Sequence, residues 1–307
     1  MKKKLAIALA LSIAAALAGC GSSSSGTTAA AAETTATAET TATVKTTAAA
    51  ETTATVKTTA AAADTAAVAA DTTTGDGEIM LAAAASLKNA FEDKLIPMFK
   101  EQTGISVTAT YDSSGKLQTQ IEEGAPVDVF FSASMKQMNA LQDEKMIDTD
   151  SVVKLLENKL VMIVPAGSTL ELKEFSDVLN ANTIAIGDPE SVPAGQYAKE
   201  AFTNLGIWDA LQEKTLSLGT NVTEVLEWVA AGSADVGFVY KTDAMSKAGQ
   251  VDIVAEAPEG SLENPVIYPV GQLTNAANPE GAAAFLEFLQ TKEALAVFEE
   301  YGFTPNV

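Results

Sequence analysis

Residues Ser106–Ser132 run SVTATYDSSGKLQTQIEEGAPVDVFFS, and three patterns follow one another within them. Ser106–Tyr111 is short and rich in Val, Thr and Tyr, which suit a pleated, partly covered surface. Asp112–Leu117 is a turn that leaves this strand, and Gly115–Glu123 is an amphipathic stretch of helical length. Val127–Ser132 is a second apolar run, short enough to be a strand. Strand, turn, helix and strand in this order form the unit of a sheet with helices on its faces.

The same alternation extends in both directions over Gly77–Val307. Further strands are expected at Glu78–Ala83, Lys159–Val164, Thr183–Ile186, Val236–Tyr240, Val251–Ala255 and Val266–Leu273. Helices are expected at Leu87–Glu101, Met135–Glu144, Gly195–Leu205, Val222–Ala231 and Glu280–Tyr301. The pattern predicts an α/β fold with mainly parallel sheets, and 231 residues can bury a substantial core in one or two lobes.

Upstream the chain changes character. Met1-Lys2-Lys3-Lys4 is a basic start, and Leu5–Leu17 is an apolar run broken only by Ser12. Such a run fits the core of a signal peptide and is too short to span a bilayer. Leu17-Ala18-Gly19-Cys20 resembles a lipobox, so 1–19 is read as a lipoprotein signal peptide and Cys20 as the lipidated residue. An ordinary signal peptide with a coincidental Cys is the alternative. From Gly21 to Asp76, Ala and Thr supply 38 of 56 residues, and ETTATVKTTAAA at Glu39–Ala50 recurs unchanged at Glu51–Ala62. Each copy offers one Val as its large apolar residue, too little to offset the entropy of ordering. Residues 20–76 are therefore expected to be a lipidated Cys followed by a disordered tether, with a reach of roughly 40 Å.

The chain of 307 residues carries 40 Asp and Glu against 19 Lys, for a net charge of −21, with no Arg, no His and one Cys. Nucleic acid is the wrong partner for this charge. Without His there is no Ser-His-Asp triad, and the common zinc sites are also excluded. The acidic residues are dispersed rather than grouped at metal-ligand spacing, so neither a cofactor nor a side-chain metal site is expected. What remains for recognition is hydroxyls, backbone amides, carboxylates and Lys.

Four strand-to-helix turns collect such groups: Ala82–Leu87, Asp112–Leu117, Gly187–Gly195 and Gly219–Val222. Helix starts present unpaired N–H groups and about half a positive charge each, so converging starts would suit a small anion. Taken singly, Ser86 and Ser114 read as helix caps. Asp112, Asp128 and Asp188 lie near strand ends, where an enzyme would keep its acids and bases, though Asp128 and Asp188 read as turn-holding residues.

These turns lie within longer motifs: AAASLKNAF at Ala83–Phe91, SSGKLQTQIEEGAPVDVFFSAS at Ser113–Ser134 and NKLVMIVP at Asn158–Pro165. They continue with IGDPESVPAGQYAKEAF at Ile186–Phe202, DVGFVYKTDA at Asp235–Ala244 and YGFTP at Tyr301–Pro305. In these motifs and their order the chain resembles the molybdate-binding proteins of bacterial molybdate ABC transporters. The resemblance implies a type 2 periplasmic-binding fold, two α/β lobes with the ligand cleft between them. One lobe would be 77–158 plus 268–307, and the other 159–267. It also implies a site of five residues: Ser86 and Ser114 through hydroxyl and amide, Ala194 and Val222 through amides, and Tyr240 through its phenol. Val222 is fixed by spacing alone.

The resemblance further implies a non-enzymatic receptor that hands molybdate, and tungstate with it, to a membrane permease and its ATPase. The lipobox and the tether fall outside the resemblance; with them the receptor is expected to be a monomer, exported and held by Cys20 on the outer face of the membrane, the long tether favouring a Gram-positive surface. A tungstate- or sulfate-selective receptor of the same fold is the alternative. A pocket of donors alone should reject protonated phosphate, whose hydroxyl would meet another donor. With no titrating group expected in the site, affinity should be flat between pH 5 and 8.

Overall fold

The computed structural model describes residues 77–307; the expected signal peptide (1–19) and the tether with Cys20 (20–76) lie outside them. Its strands are β1 (Glu78–Ala84), β2 (Ser106–Asp112), β3 (Val129–Phe131), β4 (Val153–Asn158), β5 (Leu160–Pro165) and β6 (Thr183–Gly187). They continue as β7 (Thr215–Gly219), β8 (Val236–Tyr240), β9 (Val251–Glu256), β10 (Val266–Gln272) and β11 (Thr304–Pro305). These form a six-stranded sheet of order β11-β4-β10-β3-β1-β2 and a five-stranded sheet of order β7-β6-β8-β5-β9. The α/β class read from the sequence is the class observed.

The sheets are mixed rather than mainly parallel. In the first sheet β1 runs parallel to β2 from Glu78 opposite Ser106 to Ala84 opposite Asp112, and parallel to β3. β10 is antiparallel to both β3 and β4. In the second sheet β6 is parallel to β7 and β8, whereas β5 is antiparallel to β8 and β9. The reason lies in the path of the chain: β5 and β10 are the strands it enters directly from the other sheet. Lys159 alone separates β4 from β5, and 257–265 separates β9 from β10.

One expected helix changes its winding and another is divided, each at a readable residue. Leu87–Glu101 is helical throughout, passing from a 3₁₀ turn at Ala85–Leu87 through Lys88–Ala90 and a π-helical segment, Phe91–Leu95, into the α-helix Ile96–Thr103. Pro97 has no N–H for an i−4 bond, and the backbone widens just before it, with Ile96 N–H donating to Phe91 O. Glu280–Tyr301 becomes Pro279–Leu289 and Lys292–Glu300, because Thr291 caps the second helix by accepting Ala294 N–H at 3.2 Å. Strands β4, β7 and β11 are additional to the expected set.

Each sheet is covered by its own aromatic cluster. On the first, Phe91 meets Phe131, Phe285 and Phe298 with ring centroids 5.9, 6.0 and 5.9 Å away, and Phe99 meets Phe285 at 4.9 Å. On the second, Phe238 meets Phe175 at 5.1 Å and Phe202 at 4.7 Å. All are fully buried, and each such side chain contributes about 2–3 kcal/mol of transfer free energy. Asp128, buried in the first lobe, accepts Met80 N–H at 2.7 Å and Asn278 N–H at 3.0 Å, and Asp188 accepts Glu190 N–H at 3.0 Å. Both carboxylates therefore hold turns. Among the described residues no helix is long and apolar enough to cross a membrane, and no group of three or more His, Cys, Asp or Glu could hold a metal.

Candidate functional site

Ser86 sits in the single 3₁₀ turn Ala85–Leu87 that follows β1. Its hydroxyl caps nothing; it is hydrogen-bonded to the Tyr268 hydroxyl at 2.9 Å. Ser114 opens the helix Ser114–Glu122 after β2, but the cap of that helix is Ser113, which accepts Lys116 N–H. The Ser114 hydroxyl, fully buried, instead accepts Ala133 N–H at 2.9 Å. An oxygen that accepts from an N–H keeps its own proton free to donate. The cap reading is thus replaced at both serines by longer-range pairing.

The other three residues come from the second sheet. Ala194 is buried at the start of the helix Pro193–Asn204, which leaves the end of β6. That helix start lies hard against the strand: a Cβ on Gly195 would come within 1.9 Å of Gly187 O. Only glycine permits this approach. Val222 opens the helix Val222–Ala230 after β7, with Asn221 as its cap accepting Glu224 N–H at 3.0 Å. Tyr240 closes β8, is 1% exposed, and stands edge-on to Tyr268 with centroids 5.5 Å apart.

All five line one small cavity between the two sheets, of about 10 Å³, together with Ala84, Ala85, Asp112, Ser113, Ala133, Val192 and Pro193. Helices begin on its wall at Ser114, Pro193 and Val222, and each start carries a partial positive charge. The Tyr240 hydroxyl is buried with no hydrogen-bond partner among the described residues. A buried hydroxyl left unpaired costs about 1–3 kcal/mol, so its presence calls for a partner from outside the protein.

Three neighbours stand outside the expected set of five, although the turn that carries Asp112 was singled out in the sequence. Asp112 puts a carboxylate on a wall expected to hold donors alone; its Oδ1 accepts Ser113 N–H at 2.8 Å and faces Lys116 Nζ and Asn221 Nδ2, both at 3.4 Å. Tyr268 links Ser86 to Asn158, whose Nδ2 donates to the Tyr268 hydroxyl at 3.3 Å and to Thr242 Oγ1 at 3.0 Å. Asp243, 6% exposed, accepts Tyr240 N–H at 3.1 Å. Burial pushes the Asp243 carboxyl from the ordinary 3.8 up to about 7, with the Tyr240 N–H pulling the other way. Burial likewise raises the Tyr240 phenol well above its ordinary value, with Tyr268, Tyr197 and Asp243 adding to the effect, so the phenol stays a donor. A group that titrates near neutrality thus stands directly behind the site, which removes the ground for a flat pH profile. Asp243 was readable only as the acid three residues into a helix start, a common capping pattern.

Residues 79–304 match the family model described as bacterial extracellular solute-binding protein. The chain is 41% identical over 242 residues to the molybdate-binding protein ModA of Escherichia coli, covering 77% of this chain and 92% of that one. It is 35% identical over 232 residues to the molybdate-binding protein ModA of Haemophilus influenzae, covering 74% and 90%. Among solved structures, the periplasmic molybdate-binding protein of Azotobacter vinelandii superposes with a TM-score of 0.65 at 26% identity, over 74% of this chain and 98% of that one.

Proposed function

The chain belongs to the family of bacterial extracellular solute-binding proteins, and we propose that within it this protein is the molybdate receptor of an ABC importer. In this reading Ser86 and Ser114 donate hydroxyls and amides to the oxyanion, Ala194 and Val222 donate amides, and Tyr240 donates its phenol. Relatives named for molybdate binding at 41% and 35% identity support the choice of ligand. The observation that carries the site is Tyr240, a buried hydroxyl without a partner on the wall that the other four residues share.

The chemistry follows from the donor set. A fully deprotonated tetrahedral dianion accepts hydrogen bonds and donates none, so hydroxyls and amides match it without a cationic side chain. Helix starts add positive potential that does not depend on pH. Protonated phosphate is disfavoured at each donor that its hydroxyl meets. Sulfate matches in charge and is separated by size, whereas tungstate is close to molybdate in both and binds with it. The two lobes, 77–158 with 266–307 and 159–265 because β10 pairs wholly within the first sheet, close on the anion and exclude water, which strengthens each hydrogen bond. The protein is exported as a monomer, held by lipidated Cys20 on the outer face of a Gram-positive membrane, and serves a permease driven by a cytoplasmic ATPase.

The test is a thermal-shift panel on the full chain with molybdate, tungstate, sulfate and phosphate. Molybdate and tungstate at 100 times their dissociation constants should each add about 2.7 kcal/mol of stability, and the other two little at the same concentration. Tyr240→Phe should weaken molybdate binding by about 1.5–3 kcal/mol while leaving the unliganded protein as stable or more so. No shift with any of the four anions, or an unchanged affinity in Tyr240→Phe, would refute the assignment.

A further inference from the structure

Besides the Asn158–Thr242 hydrogen bond and the Tyr240–Tyr268 ring contact, three polar contacts join the two lobes near the cavity. Gly115 N–H donates to Ser191 O at 3.0 Å, Asn221 Nδ2 faces Asp112 Oδ1 at 3.4 Å, and Gln137 Nε2 donates to Gln196 Oε1 at 3.2 Å. The glutamine pair leaves Gln137 Oε1 and Gln196 Nε2 buried without partners, which offsets much of what it contributes. The other two contacts are built into the site itself. Gly115 adjoins Ser114, Ser191 adjoins Val192, Asn221 adjoins Val222, and Asp112 lines the cavity.

The first contact depends on the absence of a side chain. A Cβ on Gly115 would lie 2.3 Å from Ser191 O, 2.8 Å from Ser191 Cα and 2.9 Å from Ser191 C. These are backbone atoms of the facing lobe, so nothing there gives way by a change of rotamer. Gly115 itself lies inside the helix Ser114–Glu122, where Ala is compatible with the backbone. A methyl group at this position would therefore leave its own lobe intact and strike only the opposite one. The second contact pairs a carboxylate with an amide whose oxygen already caps the helix Val222–Ala230. Asn221 thus ties the position of that helix start to Asp112 across the cleft.

We propose that Gly115 facing Ser191, together with Asp112 facing Asn221, forms a latch that holds the lobes closed over the anion, Gly115 being the positioning residue that lets them meet. The latch rests on the reading of the cavity as an oxyanion site. It governs how long the ligand stays rather than which donors touch it, so it acts on dissociation more than on association.

The experiment uses the full chain in a non-ionic detergent with sodium molybdate as the probe, and follows dissociation by stopped flow and compaction by X-ray scattering. The wild type should compact on adding molybdate. Gly115→Ala should keep its unliganded thermal midpoint, lose the compaction, and release molybdate about 10- to 100-fold faster, with association changed by less than about threefold. Asn221→Asp keeps a good helix cap but sets two carboxylates against each other, and should release molybdate about tenfold faster. Adding Asp112→Asn to it exchanges donor and acceptor and should return dissociation to within about threefold of wild type. Gly115→Ala with wild-type release and compaction, or a double variant that shows no recovery, would overturn the latch alone. A wild-type chain that binds no molybdate would overturn the receptor reading, and the latch with it.

Discussion

Asp243 is buried where a carboxylate is expensive, and the linkage has a definite sign. Its folded value of about 7 lies above the ordinary 3.8, so between the two the native state holds the proton that the unfolded chain has released. Its contribution is complete below about pH 4, declines as the pH rises, and is gone above about pH 7. Asp243→Asn should flatten that part of the stability profile and raise stability at pH 8 by something on the order of 2–4 kcal/mol. Urea midpoints measured across this range would check it, and parallel curves for the two proteins would count against it. Molybdate affinity of the parent should fall as Asp243 ionises beside Tyr240, and in the variant it should not. None of this was legible in the sequence. Ser86, Ser114 and Tyr240 stand in recognisable motifs, but their pairing with Tyr268, Ala133 and Asp243 includes partners up to 182 residues away in the chain.

The elements that matter most here are short and begin on the cavity wall. The helix Pro193–Asn204 starts where it does because Gly195 lies against Gly187 O. Gly195→Ala should push that start away from β6 and cost about 1–3 kcal/mol of stability, with weaker anion binding because Ala194 moves too. Denaturant unfolding and a titration would test this together; an unchanged midpoint would show that the contact relaxes freely. Element type was well signalled by pattern, since apolar runs and amphipathic stretches fall where strands and helices are found. The change of winding before Pro97 and the break at Thr291 were signalled too, but a periodic apolar stripe runs through both and hides them. The edge strand β7 was missed for a different reason. Leu218 in it is 48% exposed, and an edge strand lacks the continuous apolar run of a central one.

At the scale of the whole molecule, the alternation of strands and helices conveyed the α/β class, while the number of sheets and the direction of β5 and β10 depend on where the chain changes lobe. In the stretch Val153–Pro165, VKLLENKLVMIVP, only Lys159–Val164 was expected to be a strand, yet the stretch supplies one strand to each sheet with only Lys159 between them. A joint this short acts as a gear rather than a leash. Because side chains alternate faces along a strand, one inserted residue would turn the whole of β5 over and set its core side chains toward the wrong layer. Inserting one Gly after Lys159 should therefore abolish cooperative unfolding, whereas one Gly within 257–265, on the other crossing, should cost less than about 1 kcal/mol. Equal tolerance at both crossings, seen in thermal melts, would contradict this. The two connections then divide the work of change: lengths can drift on one crossing, while the other can be tuned only by substitution.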